Sequence, residues 1–169
     1  MDGVGLGRED EGNAVHLART PFLDRAISTS PFSRLLAHGT AVGLPSDGDM
    51  GNSEVGHNAL GAGRIFTQGA TRVDSAIRSG TVLHSPVWQW LMENDVVHFI
   101  GLLSDGNVHS HEEHLYALCR AAAALGKTVV VHPLLDGRDV SDHSALEYLE
   151  RLEAVLAEIG GGAHIASGG

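Results

Sequence analysis

The chain has 169 residues, 21 acidic and 11 basic side chains, and a formal net charge of −10; that length holds one ordinary domain, or a small domain and part of another. The acidic excess has no basic run to interrupt it, which argues against nucleic acid and anionic membranes as partners, and no apolar stretch is long enough to span a bilayer. The N-terminus has no signal-peptide pattern and the lone Cys119 excludes an internal disulfide, so a reducing cytoplasm is the expected compartment.

The first ~80 residues are Gly-rich and irregular by pattern. Residues 13–26 predict a short helical region interrupted at Pro21, and Thr40 to Leu44 predicts a short apolar strand. Asp49-Met50-Gly51-Asn52-Ser53-Glu54-Val55-Gly56-His57-Asn58 then gathers a hydroxyl, two carboxylates, amides and an imidazole around two glycines. Ser53 sits between those glycines, where the backbone can turn sharply and approach a ligand. A serine hydroxyl is a weak nucleophile unless a base or a metal activates it, and acidic and amide oxygens suit a hard cation. The residues read either as a metal-assisted serine site for an oxyanion substrate or as a polar surface turn without chemistry. His57 fits a capping hydrogen bond equally well.

Gly69 to Ser79 predicts a helix, with Ala70, Val73 and Ile77 on one face. Trp88 and Trp90 follow Pro86 in an apolar patch that suits packing better than ligand binding. Val96 to Leu103 is a near-continuous apolar run, as a strand buried on both faces requires. Ser110 and Glu113 predict a capping box, with Leu115, Leu118, Cys119, Ala122 and Leu125 at helical spacing and Gly126 placed to end the helix. Cys119 falls on the apolar face and reads as a core thiol. Thr128 to Leu135 predicts a second strand, bent at Pro133. Ser144 and Glu147 predict another capping box before Ala145, Leu149, Leu152, Leu156 and Ile159. Ile165 and Ala166 begin a third strand.

Alternating strands and helices imply a parallel sheet with right-handed crossovers. Ligands of such sheets bind beyond the carboxyl ends of the strands. Ser104 to His111 follows the first strand, and Arg138 and Asp139 follow the second, so two polar clusters share one edge. His109, His111 and His114 invite a zinc reading, but a structural zinc site wants four ligands and no Cys pair accompanies them; His111 and His114 are expected to be exposed. Arg138 can grip a carboxylate or phosphate through two parallel hydrogen bonds. Arg64 and Arg72 read as exposed side chains that could add positive field near Ser53.

The segment Asp47-Gly48-Asp49-Met50-Gly51-Asn52-Ser53-Glu54-Val55-Gly56-His57-Asn58-Ala59-Leu60-Gly61-Ala62-Gly63-Arg64 resembles the nucleophile segment of the cofactor-independent phosphoglycerate mutases. Gly101-Leu102-Leu103-Ser104-Asp105-Gly106-Asn107-Val108-His109-Ser110-His111 and Leu135-Asp136-Gly137-Arg138-Asp139 resemble two further segments of that family. Met1-Asp2-Gly3-Val4-Gly5-Leu6-Gly7 resembles its first metal-site turn. Four matches in order over most of the chain outweigh any one of them alone.

The resemblance implies an α/β fold with a parallel sheet and three-layer architecture. Residues 1–75 would be a partial alkaline-phosphatase-like domain, and 76–169 the start of an inserted phosphotransferase domain. It implies that Ser53 is the hydroxyl that becomes phosphorylated, that Asp2 and Ser53 are metal ligands, and that His109, Arg138 and Asp139 bind substrate. The implied reaction interconverts 3-phosphoglycerate and 2-phosphoglycerate, with two Mn²⁺ ions and no 2,3-bisphosphoglycerate, in a monomer. Many family members have a second Gly where this chain has Asn107; Asn tolerates left-handed backbone, so the loop is expected to survive. The family enzyme is about three times this length, more than one domain would hold. Its later part carries further metal ligands, a catalytic lysine and substrate arginines that have no counterpart here. The chain is therefore expected to be an N-terminal portion without turnover of its own. A non-catalytic fragment, and another phosphotransferase of the alkaline phosphatase superfamily, are the alternatives.

Overall fold

Two short helices, α1 (Ala14–Leu17) and α2 (Pro21–Thr29), begin the computed structural model, which describes residues 4–169. Asn13 caps α1 by accepting from the N–H groups of Val15 and His16. Pro21 starts α2 rather than merely interrupting a longer helix, because its missing N–H costs nothing in a first turn. The expected strand at Thr40 to Leu44 is instead a 3-10 helix, Gly39–Val42. Gly39 and Gly43 take left-handed backbone there, which turns the chain too tightly for an extended run. Val42 and Leu44 still bury, against Val55.

Helices α3 (Ser53–Ala62), α4 (Gly69–Arg78) and α5 (Pro86–Leu91) follow, with a 3-10 helix Thr81–His84 before α5. Strand β1 (Val96–Leu103), helix α6 (Glu112–Ala124), strand β2 (Thr128–Leu135), helix α7 (Ala145–Ile159) and strand β3 (His164–Ile165) complete the chain. The strands are parallel and ordered β1-β2-β3. Val96 lies opposite Thr128 and Leu103 opposite Leu135; Val130 pairs with His164.

The parallel α/β architecture expected from periodicity is the one found. Two right-handed crossovers that advance in the same direction place their helices on one face of the sheet. The core lies there, with Leu103, Val129 and Val131 packed against Tyr116, Cys119, Ala122, Leu152 and Leu156. β1 is consequently not buried on both faces: Val97 and Leu103 are covered, while Val96 and Ile100 are exposed. That second face is only partly covered: His98 and His132 stack there with centroids 5.2 Å apart, and Val130, in register with His98, is buried. Trp88 joins the core and Trp90 does not, being 63% exposed.

Neither expected capping box forms. His111, not Ser110, caps α6, its Nδ1 accepting from the Glu113 N–H at 3.2 Å. The Ser144 side chain makes no cap to α7 and donates instead to the Ser141 carbonyl at 2.6 Å. Gly126 takes the left-handed conformation just beyond α6.

Candidate active site

Asn52 caps α3, its side chain accepting from the Val55 N–H at 2.9 Å, so Ser53 is the first helical residue rather than the apex of a turn. Ser53 is exposed. The first turn of a helix leaves N–H groups without carbonyl partners and favours an anion beside it. Gly51 is required for close approach: a Cβ there would run into the Ala37 carbonyl oxygen. His57 Nδ1 lies 2.7 Å from the Ser53 carbonyl oxygen and 3.2 Å from its Oγ. A carbonyl only accepts, so Nδ1 carries the proton and His57 caps its own turn; that nitrogen is no base for the hydroxyl.

Just upstream, Asp49 Oδ2 accepts from the Ser46 N–H at 2.6 Å and its hydroxyl at 2.7 Å. Its Oδ1 accepts from Asn107 Nδ2 at 2.6 Å. Partial burial works to raise the Asp49 carboxyl, but the hydrogen bonds from Asn107 and Ser46 outweigh it and hold the group below its ordinary range. This contact joins the Ser53 segment to the loop that follows β1.

In that loop Ser104 is buried, its Oγ accepting from the Gly106 N–H at 3.1 Å. Asn107 adopts φ 56°, the left-handed conformation expected of it. His109 follows, and its Nδ1 donates to Asp139 Oδ2 at 2.6 Å. The Asp139 side chain is only 8% exposed and that of His109 is 56% exposed, so a buried carboxylate anchors an exposed ring. Gly106 admits this packing: a Cβ there would lie 2.8 Å from the Asp139 Cβ.

The turn after β2 is held by Asp136. Its Oδ1 accepts from the N–H groups of Gly137, Arg138 and Asp139 at 2.8, 2.9 and 3.1 Å. Burial pushes the Asp136 carboxyl up, yet Ser104 and these three N–H groups together bring it below its ordinary range. The Arg138 side chain is exposed at this edge.

Of the sequence-derived site residues, the structure brings His109 and Asp139 into direct contact, sets Arg138 beside Asp139, and ties the Ser53 segment to the same loop through Asp49 and Asn107. Asp2 lies outside the described residues. His111 and His114 are half-buried rather than exposed, because α6 packs on α4 and brings His114 to 3.8 Å from Asp74. Burial and the neighbouring His111 push the His114 imidazole down, against the pull of Asp74. Among the described residues no three His, Cys, Asp or Glu converge on a metal-sized site. Arg64 and Arg72 are exposed.

The comparisons with known proteins bear on this edge. The family profile of the BPG-independent PGAM N-terminus matches residues 73–169, more than half the chain. The chain belongs to the 2,3-bisphosphoglycerate-independent phosphoglycerate mutase family. It is 50% identical to such a mutase of Trypanosoma brucei brucei and 48% identical to that of Zea mays, with all of the chain and 32% of each relative covered. It superimposes with a TM-score of 0.87 on a crystal structure of Leishmania mexicana phosphoglycerate mutase at low cobalt concentration, at 49% identity, covering 100% of this chain and 33% of that one. The chain thus spans about a third of the length of the mutases it matches.

Asp49, Asn107 and Asp136 make contacts that build the site and that the pattern around Ser53 and Asp139 does not single out. Asp136 had a signal: an aspartate ahead of Gly-Arg-Asp suits a side-chain-capped turn. The Asp49–Asn107 pair had none, since its partners are 58 positions apart.

Proposed function

We propose that this chain carries the nucleophile and part of the substrate site of a 2,3-bisphosphoglycerate-independent phosphoglycerate mutase, interconverting 3-phosphoglycerate and 2-phosphoglycerate through a phosphoserine. The observation that carries the reading is the Asn107–Asp49 hydrogen bond, which sets the Ser53 segment against the loop bearing His109. Ser53 Oγ exchanges its proton for the phosphoryl group as the phosphate bond to one glycerate hydroxyl breaks. His109, Arg138 and Asp139 hold the glycerate while it turns; the Ser53 Oγ–P bond then breaks as the phosphoryl group passes to the other hydroxyl, whose proton returns to Ser53 Oγ. Residues 1–75 form the alkaline-phosphatase-like part and 76–169 the start of the substrate-binding domain.

Two Mn²⁺ ions, with Asp2 and Ser53 among their ligands, belong to this reading through the resemblance alone. The described residues do not by themselves fit a metal, since no three His, Cys, Asp or Glu among them converge. No 2,3-bisphosphoglycerate is needed when serine carries the phosphoryl group. No helix among the described residues is long and apolar enough to cross a membrane. A monomer in the cytoplasm, acting on a small phosphate ester and not on nucleic acid or membranes, completes the proposal.

The chain's span of about a third of the mutases it matches, with no three-ligand cluster among the described residues, also favours a second reading, in which the chain alone has no turnover. An enolase-coupled assay of the purified chain should show no conversion of 3-phosphoglycerate, and EDTA-sensitive conversion would overturn that. The first reading is tested in a chimera in which this chain replaces the matching third of the Trypanosoma brucei mutase. Labelled substrate should leave a phosphoprotein that Ser53→Ala abolishes without unfolding, since Ser53 is exposed. A phosphoprotein that survives the substitution would move the nucleophile elsewhere.

A further inference from the structure

The loop between β1 and α6 presents Asn107 and His109, and its two ends are drawn together. The Glu112 N–H donates to the Ser104 carbonyl at 2.7 Å. Just inside each end stands a carboxylate, Asp105 at the first and Glu112 at the second. Glu112 is 5% exposed, and a carboxylate so buried needs a cation and donors. The cation comes from α7, and the hydrogen-bond donor from α6 itself. Arg151 Nη2 lies 3.2 Å from Glu112 Oε1 and 3.6 Å from Asp105 Oδ2. The Tyr148 hydroxyl donates to Asp105 Oδ1 at 2.6 Å, and the Arg151 guanidinium sits 4.2 Å above the Tyr148 ring. Within α6, Tyr116 donates to Glu112 Oε2 at 2.9 Å.

Nε and Nη2 of Arg151 are buried without an aligned acceptor, so the guanidinium acts on the two carboxylates as a charge rather than as a hydrogen-bonding fork. Burial, and then the bond to Asp105, push the Tyr148 hydroxyl up to about 12, so it stays protonated and donating at neutral pH. Asp105 and Glu112 would repel each other at the loop's neck without this cation between them.

We propose that Arg151 and Tyr148 are positioning residues for His109: α7 staples the loop at both ends and so fixes the imidazole against Asp139. The proposal rests on the reading above only in its consequence for substrate; the staple itself is a property of this chain.

The test uses amide hydrogen exchange and imidazole nitrogen spectra of the 169-residue chain. Asp105→Asn and Tyr148→Phe loosen only the first end and leave Glu112 paired with Arg151. Each should speed exchange across residues 106–110 by roughly tenfold, the size of one lost charge-assisted hydrogen bond, with β2 and the middle of α6 unchanged. The His109 signals should move away from a ring that donates from Nδ1. Arg151→Lys should restore most of what Arg151→Met loses, because charge is what the neck requires. Unchanged loop exchange and unchanged His109 signals in Asp105→Asn and Tyr148→Phe would overturn the proposal. Uniform loss of protection throughout the chain in those two variants would overturn it as well, reducing the network to fold stability. Adding 3-phosphoglycerate separates the two readings: wild-type His109 signals that ignore it would sink the substrate assignment, while ligand-free exchange still decides the staple.

Discussion

Asn107 donates its side-chain N–H to Asp49 at 2.6 Å across 58 positions of sequence, and this bond directly links the loop bearing His109 to the segment bearing Ser53. The same residue holds a left-handed backbone at φ 56°. Asn107 therefore does two separable things: it turns the loop, and it latches the loop to the nucleophile segment.

Substitution separates them. Asn107→Gly keeps the turn and deletes the latch, and should cost roughly 1–2 kcal/mol, toward the lower range for a hydrogen bond to a charged group because the site is only part-buried. Asn107→Ala should cost about 1 kcal/mol more, since alanine must also enter the left-handed region. Urea unfolding measures both, and a glycine variant as stable as wild type would show that the latch contributes nothing.

Acid should open the same contact. Asp49 is held below its ordinary value of 3.8 by Asn107 and Ser46 in the folded chain, so folding favours its ionised form. Its contribution is fully present above that value and is lost as pH falls below it, through the lower folded-state value. Wild type should therefore lose stability more steeply than Asp49→Asn as pH falls below the ordinary carboxylate value, since the asparagine side chain does not titrate there. Parallel curves for the two proteins would remove Asp49 from the account of acid sensitivity.

Arg138 is exposed, and its backbone, not its side chain, is what Asp136 holds. Arg138→Lys should leave thermal stability unchanged. In the Trypanosoma brucei chimera it should weaken 3-phosphoglycerate on the order of ten- to a hundredfold, because lysine keeps the charge and loses the planar fork. Unaltered kinetics would make Arg138 an ordinary surface residue.

Cys119 is fully buried, and that burial pushes its thiol up to about 12. At pH 8 it has almost no thiolate, so iodoacetamide should leave the folded chain unlabelled and label it fully in urea. Rapid modification of the native chain would contradict the packing of α6 on the sheet.

Period and punctuation in the sequence determined the strand-helix-strand order, the parallel sheet and the edge to which His109, Arg138 and Asp139 come, because apolar spacing and crossover handedness are local rules. The wording around Ser53 and Asp139 sufficed to suggest the family. Tertiary structure alone decided the rest. Left-handed Gly39 and Gly43 overrode the apolar run at Thr40 to Leu44, and one-sided helix packing left Ile100 exposed in a strand that reads as fully buried. The caps fell to His111 rather than Ser110 because a side chain caps only from where the chain enters the helix, and pattern places that entry no better than a residue or two. Asp49 met Asn107, and Arg151 met Asp105 and Glu112, through charge and hydrogen-bond geometry between segments far apart in the chain, which no periodicity records.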